Sequence, residues 1–251
     1  GRVRADVVTI APDVSGRVVA LPISDNQTVA KGEILFRIDD TRYQAAQEKA
    51  QAMVQQRKAE LELSQHEASR RSHLSRQAIS AESQETAQIN SRVAAAQLGQ
   101  AQSALHSAQI DLERTTVQAP ADGHVLNLQL AEGNYVNAGN PVMALVKADS
   151  FYVTGYFEET KTPHIQVGDP ARITLMSGDI ELDGHVASIG RGIADSNTST
   201  NNQLLPQVQP TFSWVRLAQR IPVRIELDEV PEDVTLSAGM TATVRIIENA
   251  E

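Results

Sequence analysis

The chain has 251 residues, a formal net charge of −9 and a sequence pI near 5.2, which argues against a nucleic-acid binder, since that needs a basic patch to neutralise phosphates. It contains no cysteine, which excludes disulfide scaffolds, thiolate metal sites and cysteine nucleophiles. No stretch approaches the roughly 18–20 apolar residues of a membrane helix, and no signal-peptide pattern opens the chain.

After Gly1-Arg2-Val3 the first strand-like run is Val7-Val8-Thr9-Ile10. Residues 10–39 then return as residues 117–146. Ala11-Pro12 matches Ala119-Pro120, and from Gly16 and Gly123 the copies run in step at an offset of 107 residues. Val18 answers Val125, Leu21 Leu128, Ile23 Leu130, Val29 Val136, Gly32 Gly139 and Leu35 Val142. Solenoid repeats recur at periods of about 20–50 residues, so this distant match predicts two half-domains that close on each other. Each half reads as short alternating strands, with turns at Asp25-Asn26 and at Glu132-Gly133-Asn134. Gly16, Gly123, Gly32 and Gly139 are expected to take backbone angles that other residues avoid. Neither half buries a core alone, because chains below about 40 residues rarely do so unaided.

Between Asp40 and Thr116 the composition shifts to Ala, Gln, Glu, Arg and Leu, with no proline and only Gly99, the vocabulary of long exposed helices. Asp40 or Thr41 is the expected N-cap of the first helix, with Gln44 closing a capping box on Thr41, and the helix should end near Leu74. Gln77-Ala78-Ile79-Ser80 reads as the turn. Ser80 is placed to cap a second helix running to about Arg114, with Glu82 and Glu85 near its start, where the dipole favours negative charge. In that helix Ala87, Ser91, Ala94, Leu98, Ala101, Leu105, Ala108 and Leu112 alternate four and three apart, which is heptad spacing. Ala50, Val54, Leu61 and Ala68 answer from the first helix, with Arg57 and Arg71 in the same register. An antiparallel coiled coil follows, about 33 residues per helix and roughly 50 Å long at 1.5 Å per residue.

From Phe151 the pattern returns to strands: Phe151–Phe157, Ala171–Leu175, Gly184–Ile189, Val215–Leu227 and Gly239–Ile247, enough to close a small barrel. Residues 194–210 read as a loop, and Pro222 predicts an edge strand or a bulge. The fold class is therefore mainly β with an α-helical hairpin. Residues 7–39 and 116–147 form the split domain, 40–115 the hairpin and 148–249 the barrel. A lipoyl or biotinyl carrier shares the two-half architecture, but its lysine-bearing turn is replaced here by Asp39-Asp40-Thr41 and the hairpin. His66 and His73 lie about 10.5 Å apart along a helix, too far to share one ion. No catalytic, cofactor or metal site is expected, and nothing marks an enzyme.

A split lipoyl-like (barrel-sandwich) domain, a hairpin between its halves and a β-barrel after it resemble the membrane fusion proteins, the periplasmic adaptors of tripartite efflux pumps. The resemblance rests on Ala11-Pro12 through Ile38-Asp39, on Leu112-Glu113-Arg114-Thr115 with Ala119-Pro120-Ala121-Asp122-Gly123, on Val215 through Val223, and on Ala238-Gly239-Met240. The chain looks most similar to the short adaptors for aromatic-carboxylic-acid efflux, and next to multidrug adaptors that serve major-facilitator transporters. The resemblance implies a periplasmic protein anchored to the inner membrane by a helix preceding Gly1. It also implies a homo-oligomeric ring, trimer or hexamer, between an inner-membrane transporter and a TolC-like outer-membrane channel. Export of proteins or polysaccharides is the alternative within the family, and a free-standing coiled-coil scaffold the alternative outside it.

The family's hairpin tip often carries an arginine, a leucine four residues on and a serine past the turn, which engage the channel. Arg70 and Leu74 keep that spacing on one helical face. Ser80 follows one residue sooner than in the commonest form, so it is either a contact or only a cap. Arg70, Arg71 and Arg76 also make the tip basic, with no acidic residue between Ala68 and Ala81. A helix dipole favours such arginines at a C-terminus in any case, and on the resemblance they read as docking residues for acidic or carbonyl-rich surfaces.

Overall fold

The fold is that of a computed structural model describing residues 1–73, 80–178, 180–192, 198–200, 206–208, 218–231 and 234–247. Two compact units are described separately: residues 8–145, and residues 1–7 with 146–251.

In the first unit the two half-motifs build one β-domain. Alternation puts one face of each strand inside, so Val18, Val29, Leu35, Phe36, Val125 and Leu145 are each at most 2 % exposed in a shared core. Two four-stranded sheets enclose it, and each contains strands from both halves. In one, Val7–Ile10, Met143–Lys147, Gly123–Leu126 and Thr28–Val29 lie in that order; in the other, Thr116–Gln118, Ile34–Ile38, Gly16–Ala20 and Tyr135–Val136.

The halves are related by a pseudo-two-fold that reaches individual hydrogen bonds. Gly16 pairs with Val136 while Gly123 pairs with Val29. The Val18 amide donates to Asn134 O (2.8 Å), and the Val125 amide to Gln27 O (2.9 Å). Carboxylates follow suit: Leu21 N–H donates to Glu132 Oε1 (3.2 Å) and Leu128 N–H to Asp25 Oδ1 (3.1 Å). Gly32 N–H donates to Ala119 O (2.8 Å) and Gly139 N–H to Pro12 O (2.9 Å). These last bonds make Pro12 and Ala119 equivalent, so the two Ala-Pro dipeptides are one residue out of the true register. Gly32 (φ 84°) and Gly139 (φ 78°) take the left-handed angles expected of them. Gly16 and Gly123 sit instead in regular strands. At Gly16 the reason for glycine is space, because a Cβ would meet Ile38 Cγ2.

Helix α1 (Thr41–His73) and helix α2 (Ala81–Glu113) form the hairpin. The capping box on Thr41 is not made. Asp39 accepts the Thr41 hydroxyl (2.6 Å) and amide (3.1 Å), and Gln44 Nε2 donates to Asp40 Oδ2 (2.8 Å). Those bonds, the hydroxyl first, hold the Asp39 carboxyl below its ordinary pKa. The seam follows the heptads. On α2 Ala87, Ala94 and Ala101 are buried and Ser91, Leu98, Leu105, Ala108 and Leu112 half-buried. On α1 the register runs Ala50, Val54, Arg57, Leu61, Ser64, Ala68, Arg71, all half-buried. Arg57 reaches Gln97 Oε1 (3.4 Å) and Arg71 reaches Ser83 O (3.3 Å), pairs spaced by fourteen residues on both helices, which fixes the antiparallel register. Tyr43, inside the first turn of α1, belongs to the β-core: it is 8 % exposed, and its hydroxyl donates to Ser15 O (2.7 Å). No helix among the described residues is long and apolar enough to cross a membrane.

The second unit is a six-stranded antiparallel sheet in the order Arg2–Arg4, Tyr152–Glu158, Arg220–Leu227, Glu181–Ile189, Pro170–Leu175 and Ala242–Ile246. Arg2–Arg4, outside the domain limits drawn from sequence, closes it. Arg2 bridges Thr241, Ala242 N–H donates to Gly1 O (3.1 Å), and Val3 N–H donates to Met240 O (2.9 Å). The strand holding Pro222 is interior rather than an edge, paired on both sides, and a bulge between Val186 and Ser188 interrupts its pairing with Glu181–Ile189. Pro222 O accepts from Gly190 N–H (2.8 Å), so its nitrogen faces the point where the neighbouring strand has ended at Ile189. No ladder bond is lost there. The loop expected over 194–210 contains a small antiparallel pair, Thr198–Thr200 with Pro206–Val208.

Candidate functional site

The candidate site is the hairpin tip, where sequence adjacency hides two different environments. Arg71 falls on a seam position. Its side chain is 32 % exposed, and besides Ser83 O it reaches Glu67 Oε1 (3.4 Å). Arg70, one residue earlier, is turned 100° away by the helix. Its side chain is 73 % exposed, with Glu67 no closer than 4.0 Å. Arg71 therefore ties α1 to α2, and Arg70 presents its charge to solvent.

Ser80 caps α2: its hydroxyl accepts the Ser83 amide (3.2 Å) and lies 2.9 Å from Ser83 Oγ. Ser83 is thus the hub of a small latch, accepting Arg71 on its carbonyl while its amide satisfies the cap. Sequence reasoning missed Ser83, since nothing marks a serine at the third position of a helix as a partner for the opposite chain end. Both ends obey the dipole, with Arg70, Arg71 and His73 in the last turn of α1 and Glu82 in the first turn of α2. Leu74 and Arg76 lie outside the described residues. Of the five predicted tip residues, the structure brings Arg71 and Ser80 together through Ser83 and leaves Arg70 free of the latch.

Among the described residues no group of His, Asp or Glu is arranged to hold a metal ion. His73 Nδ1 sits 2.7 Å from Ser69 O, and His66 lies 3.8 Å from Glu62 on its own helix. Farther down, Glu60 is held below its ordinary pKa by the Gln56 amide and then by Arg57, so the seam arginine carries its own counter-ion.

Known proteins match along the whole chain. The model of the AAEA-like beta-barrel domain matches residues 150–247, and that of the alpha-helical hairpin domain of the pHBA AAEA subunit matches residues 41–113. The uncharacterized protein YdhJ of Escherichia coli strain K12 is 48% identical over 246 residues, covering 98% of this chain and 86% of that protein. Among solved structures, the membrane fusion protein Spr0693 from Streptococcus pneumoniae R6 shares the fold at a TM-score of 0.73 and 17% identity, over 100% of this chain and 98% of its own. MacA from Actinobacillus actinomycetemcomitans does so at a TM-score of 0.57 and 22% identity, over 98% of this chain and 76% of its own.

Proposed function

The chain belongs to the AAEA-like membrane fusion proteins, and from that premise we propose that it is a periplasmic adaptor of a tripartite efflux pump. It joins an inner-membrane transporter to a TolC-like outer-membrane channel, performs no catalysis, and works as a ring of copies. Aromatic acids are the favoured cargo, because the hairpin matches that of the pHBA AAEA subunit. The observation that carries the reading is the hairpin itself. Its two helices pack on their shared seam and α2 is capped by Ser80, yet Arg70 remains turned to solvent at the tip.

The tip is the channel contact, with Arg70, Leu74 and Arg76 as docking residues and Arg71 and Ser80 holding the tip in shape. A strain lacking the adaptor gene, complemented with wild type, Arg70→Glu or Leu74→Asp at equal adaptor levels, tests this by tolerance to aromatic acids, dyes and detergents. Arg70→Glu should fold normally, since an exposed substitution usually moves stability by less than about 0.5 kcal/mol, and the melting curve of each variant is taken beside wild type. Both variants should lose tolerance to aromatic acids and lose crosslinks from the tip to the channel. Normal tolerance and normal crosslinking in both would move the channel contact elsewhere.

A further inference from the structure

At the barrel end that carries the short 3-10 turn Thr162–His164 there is an open cavity of about 530 Å³. Small-molecule sites commonly measure about 300–1,000 Å³. The floor of this one is apolar: Ile165 is 8% exposed, and Phe157, Val244 and Ile246 are half-buried against the barrel core. Gly155 shapes that floor. A Cβ there would stand 2.6 Å from Phe157 Cε2, so the glycine leaves the space in which the Phe157 ring lies along its own strand.

The rim is basic in a chain that is acidic as a whole. Lys161, Arg220 and Arg245 line the cavity beside one carboxylate, Glu158. With histidine neutral, three cations less one anion leave a local charge of +2, where the whole chain carries −9. Glu158 lies 3.6 Å from Lys161 Nζ, so the acid is engaged by the lysine. Arg220 stands opposite Glu158 in the strand register but makes no ion pair among the described residues. Arg245 stands opposite Arg172, and it is Arg172 that reaches the nearby acids, Glu181 at 3.9 Å and Asp183 at 3.6 Å. Like charges placed opposite one another weaken a sheet. Two arginines free of ion pairs among the described residues, at the rim of one apolar cavity, are suited to hold a carboxylate, which guanidinium groups bind through paired, charge-assisted hydrogen bonds.

We propose that this cavity binds one aromatic carboxylate anion, with its ring on Phe157, Val244 and Ile246 and its carboxylate on Arg220 and Arg245. A hydrated inorganic anion gains nothing from the floor, and a neutral ring gains nothing from the arginines. The two features together select a molecule that has both. The inference rests on the cargo named in the proposed function and deepens it by giving the adaptor a cargo site of its own.

Equilibrium dialysis of radiolabelled 4-hydroxybenzoate against the full adaptor in neutral detergent, including any chain that precedes Gly1, tests the site. Saturable uptake of one molecule per chain is expected. The double variant Arg220→Gln with Arg245→Gln alters two exposed residues. It should keep the wild-type melting curve and bind about tenfold more weakly or worse, the effect of losing charge-assisted hydrogen bonds. On the wild type, 4-hydroxybenzyl alcohol keeps the ring and loses the charge, while acetate keeps the charge and loses the ring; each should compete about tenfold less well than benzoate. These competitors are read without any variant, so they decide the matter even where the double variant unfolds. No saturable uptake by wild type, unchanged uptake by a folded double variant, or an alcohol that competes as well as benzoate would each overturn the site. So would attachment of wild type, but not of the double variant, to phosphatidylglycerol vesicles in the absence of uptake, which would give the arginines to a membrane surface. The efflux reading fails separately, if a strain lacking the adaptor gene tolerates aromatic acids as well as wild type does.

Discussion

In the split β-domain, residues 107 positions apart seal one another from water: Val18 and Val125 are 1 % and 0 % exposed in the same core. Along the hairpin inserted between them, the fully buried side chains of α2 are the alanines Ala87, Ala94 and Ala101, and the α1 seam holds two arginines. An alanine side chain removes little apolar area, whereas each buried Val, Leu or Phe contributes about 1.5–3 kcal/mol. The β-domain is thus a few long-range contacts of high value, and neither half has a core without the other. The hairpin is many local contacts of low value, added turn by turn. A long insertion at the seam of such a domain is tolerable, because loop-closure cost grows only logarithmically with length and this insertion returns its own ends to adjacent strands. Ile34–Ile38 and Thr116–Gln118, which flank it, are hydrogen-bonded neighbours.

The sharpest way to break that comparison is to remove the hairpin. Tyr43 and Leu112 pack against the β-core and must be kept, so residues 48–106 are replaced by a short glycine-rich turn. Export should be lost entirely, the helical circular-dichroism signal should fall, and the β-domain should still melt cooperatively. Loss of cooperative melting would show that the hairpin is part of the core and that the division drawn above is false.

A second test compares one residue from each region by urea titration. Phe36→Ala empties a fully buried site and should cost about 3–5 kcal/mol, while Leu61→Ala in the half-buried seam should cost about 1 kcal/mol. Equal losses at the two sites would mean that the seam is as tightly packed as the core.

Much of this difference could be read in the chain before folding. The offset of 107 residues identified both halves because a two-fold core demands the same inward residues twice, and Val18 and Val125 both prove buried. The heptads were legible for the same reason, one face being buried at a period of 3.5. What escaped the sequence lacked a periodic signal. Tyr43 looks like a helix residue and packs as a core residue. Arg2–Arg4 is too short to read as a strand, yet it closes the barrel through Thr241. Pro222 reads as a signal of an edge or a bulge, because no single-chain pattern reveals that the neighbouring strand stops at Ile189. At the tip, heptad register put Arg71 on the seam while the basic cluster grouped it with Arg70 as a docking residue, and the latch through Ser83 depends on the opposite helix and is invisible along either one alone.

The smallest effect, and the most discriminating at the tip, belongs to Ser80. Its hydroxyl accepts the Ser83 amide, so it serves the hairpin as an N-cap whatever else it touches. Removing a serine cap by alanine costs about 0.5–2 kcal/mol, whereas glycine costs only a few tenths. Asp caps as well as Ser does, and its charge suits the positive end of α2. If Ser80 only caps, Ser80→Asp should retain both thermal stability and export, and Ser80→Ala should lose a little stability with export nearly normal. If Ser80 is also a contact with the channel, the aspartate places a carboxylate where a hydroxyl was buried on docking, which is costly unless paired. Export by Ser80→Asp would then fail although its melting temperature matches wild type. Melting curves of the two variants and wild type beside their tolerance to aromatic acids separate the two roles, because capping moves stability and docking moves tolerance.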